Sequence, residues 1–234
     1  MSLLTIVQNA CDRAGLTRPS TAYANTELQI RQLVALAQQE GLELSKRHAW
    51  QALVTEKTFT STAAETQTGA IPSDFDRFVD GTFFNRTAKR PVQGPMTAQE
   101  WQFHKSVVAS TIIEAFRQRG NSVLITPAPT ATTTTYAYEY VTKNFCESSG
   151  GTDQSAWAAD TDTGLLSEEL MTLGVVWRFK KAKGLDYGED FRAYETMVAQ
   201  AIARDGGKPT LNVGTSKDLR RARAPFVQDG SWNL

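Results

Sequence analysis

The apolar positions of residues 3–14 recur at intervals of three and four. Leu3, Ile6, Val7, Ala10, Cys11 and Ala14 form one stripe, which predicts an amphipathic helix with Ser2 as its N-cap and Gly15 as its stop. After a polar loop holding Pro19, a second helical stripe runs through Ile30, Leu33, Ala37 and Leu44. Thr26 and Gln29 have capping-box spacing at its start, and Gly41 inside it suggests a break, since an interior glycine costs ~1 kcal/mol. This segment closes on Ala49, Trp50 and Leu53.

From Val54 the chain changes character, and Thr, Val, Tyr and Phe, the residues that favour strands, become frequent. Residues 54–60 read as a strand, Ile71-Pro72-Ser73-Asp74-Phe75 as a turn, and residues 82–84 as the strand it leads into. Thr97 and Glu100 make a capping box for a short helix over 97–104. Residues 112–119 and 122–126 flank Gly120-Asn121, the signal of a two-residue hairpin of type II′. Residues 132–146 read as one long strand, with Tyr136, Tyr138 and Tyr140 on one face and Ala137, Val141 and Phe145 on the other, so both faces should be covered. Residues 147–163 are polar and rich in Gly, Ser and Asp, and read as a linker.

Two helices close the pattern. The first starts at Ser167, carries Glu168 and Glu169 in its first turn and ends in Arg178, Lys180, Lys181 and Lys183 before Gly184, a charge order matched to the helix dipole. Leu170, Met171, Leu173, Val175, Val176, Trp177 and Phe179 surround most of its girth, which predicts burial on more than one side. Met171, Val175 and Phe179 are therefore expected at a subunit interface. The second starts near Asp190, with Phe191, Tyr194, Val198 and Ala201 on one stripe, and stops at Gly206-Gly207. Residues 210–234 show no clear periodicity. The expected fold class is α+β: a helical bundle built from residues 1–53 and 164–206, a β-rich insertion of hairpins or a small sandwich or barrel over 54–163, and an extended docking arm over 207–234.

Composition narrows the function classes. Lys plus Arg and Asp plus Glu are 25 each, so the formal net charge is zero and there is no global electrostatic drive toward nucleic acid or a membrane surface. Zero net charge also removes long-range repulsion between copies. Cys11 and Cys146 stand apart without a CxxC or Cys/His motif and read as reduced thiols. The opening residues lack a basic leader and no apolar run is long enough to span a bilayer, which predicts a chain made in a cytoplasm without membrane association.

Little of the sequence suggests catalysis. His48 and His104 are the only histidines, and neither shares a local motif with Cys146. Asp160-Thr161-Asp162-Thr163-Gly164 resembles the start of a calcium loop, but Met171 stands where the twelfth-position glutamate belongs. There is no GxxxxGK[ST] or GxGxxG. The expectation is a non-enzymatic protein with no cofactor and no metal. Two features invite other readings. Phe83, Phe84, Tyr136, Tyr138 and Tyr140 are core in the simplest reading; Tyr136, Tyr138, Tyr140 and Trp157 would otherwise make a sugar-stacking platform. In the tail, Arg220, Arg221 and Arg223 precede Phe226 and Trp232, a combination that reads either as a frayed end or as an arm that orders on a partner.

Four stretches resemble the head-to-tail adaptor family of tailed phages, which includes tail tubular protein A and head-completion proteins. They are Leu-Leu-Thr-Ile-Val-Gln-Asn-Ala-Cys-Asp-Arg-Ala-Gly-Leu over 3–16, the helix over 37–50 that closes on Lys46-Arg47-His48-Ala49-Trp50, Ile71-Pro72-Ser73-Asp74-Phe75-Asp76-Arg77, and the helical pair over 167–184 and 190–206. None is catalytic, and their order and spacing carry the likeness. The resemblance implies a structural virion protein at the head–tail junction, in a homo-oligomeric ring, usually of twelve copies, below the portal protein. It implies a tail or nozzle protein on the far side and DNA passing through the lumen without sequence-specific binding. Arg220, Arg221, Arg223, Phe226 and Trp232 would dock on the portal or a neighbour. Another tail-tube or tail-ring component is the nearest alternative, and a carbohydrate-binding tail module a more distant one.

Overall fold

A computed structural model of the chain describes residues 2–106, 113–130 and 132–206. Helix α1 (Leu3–Ala14) starts where Ser2 Oγ accepts the Thr5 N–H at 3.3 Å and stops at Gly15, whose φ of 68° a side chain would resist. Leu3, Ile6, Val7, Ala10 and Cys11 are its buried face, the stripe read from the sequence. Helix α2 (Leu28–Arg47) begins later than its capping-box pattern predicts: Glu27 is the N-cap without a side-chain bond, and Asn25 Oδ1 takes the Glu27 N–H at 2.8 Å instead. Gly41 does not break α2. It is buried because the Phe145 ring lies where a Cβ would stand, so the missing side chain is a packing requirement.

A turn of 3-10 helix (Gln51–Leu53) leads into β1 (Val54–Thr60). The middle region continues with β2 (Thr66–Thr68), β3 (Phe75–Phe78), β4 (Phe84–Asn85), β5 (Arg90–Pro91) and α3 (Ala98–Ser106). The capping box of α3 forms as read: the Thr97 N–H donates to Glu100 Oε2 at 2.8 Å and the Glu100 N–H to Thr97 Oγ1 at 3.2 Å. The hairpin β6 (Ala115–Arg119) and β7 (Ser122–Thr126) turns at Gly120, φ 60°. The long strand ends earlier than expected, as β8 (Thr135–Thr142), because the loop at Asp74 ties it off: the Thr142 hydroxyl and the Lys143 N–H both donate to Asp74, at 2.8 Å each.

Strand β8 is the centre of the main sheet. All of β1 pairs with it antiparallel on one side, while β3 and β4 share the other, with β5 beyond β4. A second sheet, β2-β7-β6, faces it. Between them lies an aromatic cluster in which Phe83 stacks on Phe116 at 4.2 Å and on Tyr138 at 5.2 Å between ring centroids. The opposite face of β8 contributes Val141 to a larger cluster built by the helices, so both faces are covered, as the alternating pattern required.

The polar stretch 147–163 is not a bare linker. Strands β9 (Cys146–Glu147), β10 (Asp153–Gln154) and β11 (Thr163–Gly164) form a small sheet, and Trp157 is buried in the helical cluster. Its carboxylates and carbonyls serve backbone donors elsewhere. Asp160 accepts the N–H groups of Ala22 and Tyr23 at 3.0 and 2.6 Å, and the carbonyls of Asp162 and Asp160 accept those of Leu3 and Leu4 at 2.8 and 3.2 Å. Two of the donors that α1 leaves unpaired at its start are satisfied this way.

Helices α4 (Glu168–Ala182) and α5 (Gly188–Arg204) complete the bundle. Helix α4 is the central one: α1, α2 and α5 all pack on it. With most of the helices drawn from the two ends of the chain and antiparallel sheets between them, the architecture is the α+β arrangement expected. Among the described residues no helix is long and apolar enough to cross a membrane.

Candidate functional site

The residues singled out for chemistry do not converge. Cys146 is fully buried and its thiol donates to the Gln154 carbonyl at 3.3 Å. Burial, reinforced by Asp162 and Asp153, pushes its pKa up to about 12, leaving a thiolate fraction of roughly one in 10⁴ at pH 8. His48 sits elsewhere, edge-on to Trp50 and 3.4 Å from Asp205. A native-state titration with a disulfide thiol reagent is therefore expected to find Cys146 and Cys11 silent until the chain unfolds; prompt labelling of Cys146 would contradict its placement. The calcium-like loop is also spoken for, because Asp162 accepts the N–H groups of Ala158 and Ala159 at 2.6 and 2.8 Å and Asp160 is occupied as described above. Among the described residues no group of three His, Cys, Asp or Glu is placed to hold a metal.

The sugar-stacking reading fails on geometry. Tyr136, Tyr138 and Tyr140 face the aromatic core between the sheets, with the Tyr138 hydroxyl donating to the Ala70 carbonyl at 2.6 Å. Trp157 lies in the other cluster, against Phe145. A platform needs rings side by side in solvent, and these are buried in two separate cores.

Met171, Val175 and Phe179 are 0, 0 and 3% exposed inside this chain. The sides of α4 that seemed surplus to one bundle are covered by α1, α2 and α5, which removes the reason for seating these residues against a neighbour. Arg220, Arg221, Arg223, Phe226 and Trp232 lie outside the described residues. What sequence reasoning missed is a charged cluster inside the bundle. Glu40 of α2 is fully buried, ion-paired to Arg178 of α4, and accepts the Tyr194 hydroxyl of α5 at 2.5 Å. Arg178 also reaches Glu43 at 2.6 Å and lies over the Trp177 ring at 4.4 Å. Burial pushes the Glu40 carboxyl above its usual range, while Arg178 and the Tyr194 hydroxyl pull it back. The spacing of Glu40, Ala37 and Leu44 on one helical face was the available signal, because a glutamate in an apolar stripe requires a buried partner.

On the surface beside this cluster, α4 and α5 meet in an apolar corner. Trp177 packs against Phe191 at 5.0 Å and Tyr187 at 6.3 Å, and Leu185, Tyr187 and Phe191 remain 56, 37 and 37% exposed. At the other end of the bundle, two of the sequence stretches that carry the resemblance form one seam. Arg77 donates to the carbonyls of His48 and Ser45 at 2.7 and 3.2 Å, and Trp50 Nε1 to Leu44 O at 2.7 Å. A guanidinium thus completes the C-terminus of α2, where the helix dipole is negative.

Among the described residues that arrangement is a scaffold of buried seams and exposed corners in which the candidate groups stay apart, and residues 1–224 match the family model of the SU10 adaptor protein. The chain belongs to the SU10 adaptor protein family. It is thus a structural adaptor of phage head–tail type, as the resemblance implied at the family level; the match does not single out tail tubular protein A. No curated protein sequence matches the adaptor. The family match runs on through Arg220, Arg221 and Arg223 and ends before Phe226 and Trp232.

Proposed function

We propose that the adaptor is a ring subunit at the head–tail junction of the virion. It docks below the portal protein, receives a tail or nozzle protein on its distal face, and lines a channel through which DNA is retained and ejected. The observation that carries this reading is the family match over residues 1–224. A closed ring of identical subunits, twelve in this proposal, needs a heterologous interface in which two different patches of the subunit meet. With Met171, Val175 and Phe179 committed to the core, the exposed corner of Leu185, Tyr187 and Phe191 is the patch better suited to a neighbour. DNA contact in the lumen is sequence-independent, in keeping with the zero net charge.

The arm over 207–234 docks on the portal or an adjacent subunit. Arg220, Arg221 and Arg223 meet carboxylates or carbonyls there, and Phe226 and Trp232 fill apolar pockets. The test mixes the adaptor with the portal protein of its own phage and images the product. Alone, the adaptor is expected to be monomeric by light scattering; on the portal it is expected to form a ring with a central hole. A Phe226→Ala/Trp232→Ala chain is expected to keep its circular dichroism spectrum yet to leave the portal in gradient sedimentation. Failure of the native chain to bind the portal at all would sink the proposed role. A stable closed ring without any partner would sink the templated assembly, and normal retention of the double mutant would sink the arm.

A further inference from the structure

Helix α4 is 15 residues long, about 22 Å at the rise of an α-helix, and its two ends carry unmet charge of opposite sign. At its start, Glu169 of α4 and Asp12 of α1 are exposed on the lining of a notch between the two helices. Among the described residues neither carboxylate has a cation within ion-pair distance. Glu168, beside them, accepts the Asn9 side-chain amide at 2.8 Å, and Arg13 is the one cation on the lining. Thr172 lines the same notch. It is 2% exposed, and its hydroxyl has no hydrogen-bond partner among the described residues. A buried hydroxyl left unpaired is costly, so it points to a group that arrives from outside.

The far end of α4 is its complement. Lys181 and Lys183 are exposed, and among the described residues they meet rings and no carboxylate: Lys181 lies over Trp177 and Tyr187 at 5.8 and 6.0 Å, and Lys183 over Phe179 at 5.2 Å. The carboxylates nearby are engaged. Glu43 holds Arg178, Asp190 holds Lys180, Asp186 accepts the Gly188 N–H, and Glu189 lies 3.6 Å from Arg192. Here too a buried polar atom is unmatched. Trp177 is 9% exposed, lines a groove with Leu36 and Lys181, and its indole N–H has no acceptor among the described residues.

We propose that these two ends are the two halves of the contact between neighbouring copies of this chain. The notch at the start of α4 in one copy receives a lysine ammonium from the end of α4 in the next. An ammonium brings three donors and no acceptor, which suits Asp12, Glu169 and the Thr172 hydroxyl. In return the Glu169 carboxylate accepts the Trp177 N–H. Two patches at opposite ends of one helix cannot meet within a single copy, so they pair head to tail, the heterologous geometry that a ring requires. This names the surface that meets the exposed corner of Leu185, Tyr187 and Phe191, and it rests on the ring reading above.

Zero-length carbodiimide cross-linking of an equal mixture of ¹⁴N- and ¹⁵N-labelled chains tests it, once on the portal and once with the free chain at high concentration. Mass spectrometry is expected to find mixed-isotope links from Lys181 or Lys183 to Asp12 or Glu169, with the Lys180–Asp190 link inside each chain as the control. An Asp12→Lys/Glu169→Lys chain and a Lys181→Glu/Lys183→Glu chain should each keep a native circular dichroism spectrum. Each alone is expected to self-associate about tenfold less or worse, because like charges now face each other. An equal mixture of the two is expected to associate again, since every contact then joins opposite charges. Absence of the mixed links from both samples would overturn the proposal, as would either variant assembling normally or the mixture staying inert. Links from Lys181 and Lys183 to portal carboxylates instead would assign that end to the portal and overturn it too. Failure to bind the portal would sink the proposed role alone, because the concentrated free chain still decides this contact.

Discussion

Replacing Glu40 with alanine is expected to lower the unfolding free energy by about 3–5 kcal/mol, because it strands a charged Arg178 inside the bundle. Glu40 is fully buried, Arg178 is 5% exposed, and the two join α2 to α4 with the Tyr194 hydroxyl of α5 as a third member. Removing one partner leaves the other desolvated and unpaired, whereas exchanging both for apolar residues removes the desolvation penalty together with the attraction. A Glu40→Leu/Arg178→Met chain is accordingly expected to be far closer to the native protein than either single replacement by alanine. Urea unfolding with an unchanged m value would measure both. A loss below about 1 kcal/mol for Glu40→Ala would mean that solvent reaches the site and the pair behaves as a surface salt bridge. Gly174 provides a built-in control. A Cβ there would overlap the Glu40 carboxylate, so Gly174→Ala should be harmful in the native chain and much milder once Glu40 is alanine.

The second large effect is expected at Phe145, where Phe145→Ala should cost about 3–5 kcal/mol. This ring is fully buried, touches Trp157 edge-on at 5.6 Å, and fills the notch that Gly41 leaves in α2. It fastens the chain returning from β8 onto the helical core. Gly41 sharpens the test because two effects oppose each other there. Alanine in a helix interior gains ~1 kcal/mol over glycine from backbone propensity. At Gly41 the added methyl collides with the ring, so Gly41→Ala is expected to destabilise the native chain and to stabilise the Phe145→Ala chain. Thermal unfolding of the four proteins in that cycle reads the sign directly; a stabilising Gly41→Ala in the native background would show that the ring yields freely.

Periodicity was enough to locate most elements of the adaptor. The stripe of α1, the seven residues of β1, the capping box of α3 and the hairpin at Gly120 are local: each depends on residues within a few positions of one another, so the chain states them without help from the rest of the fold. The helical framework around a β-rich middle was legible for the same reason, and the order of its segments carried the family likeness. The candidate site was much less legible. The tail residues chosen for docking lie outside the described structure, and Met171, Val175 and Phe179 were assigned outward only because no count of helix faces reveals how many neighbours a helix has. Tertiary structure decided what each ambiguous residue touches across long separations in sequence. It gave α4 three helical neighbours, turned Gly41 from a breaker into a socket for Phe145, and set Glu40 against an arginine 138 residues away. It also turned the polar stretch 147–163 into the cap of α1, since its carbonyls meet backbone N–H groups that the helix leaves unpaired, while the Asp160 carboxylate holds the loop N–H groups of Ala22 and Tyr23.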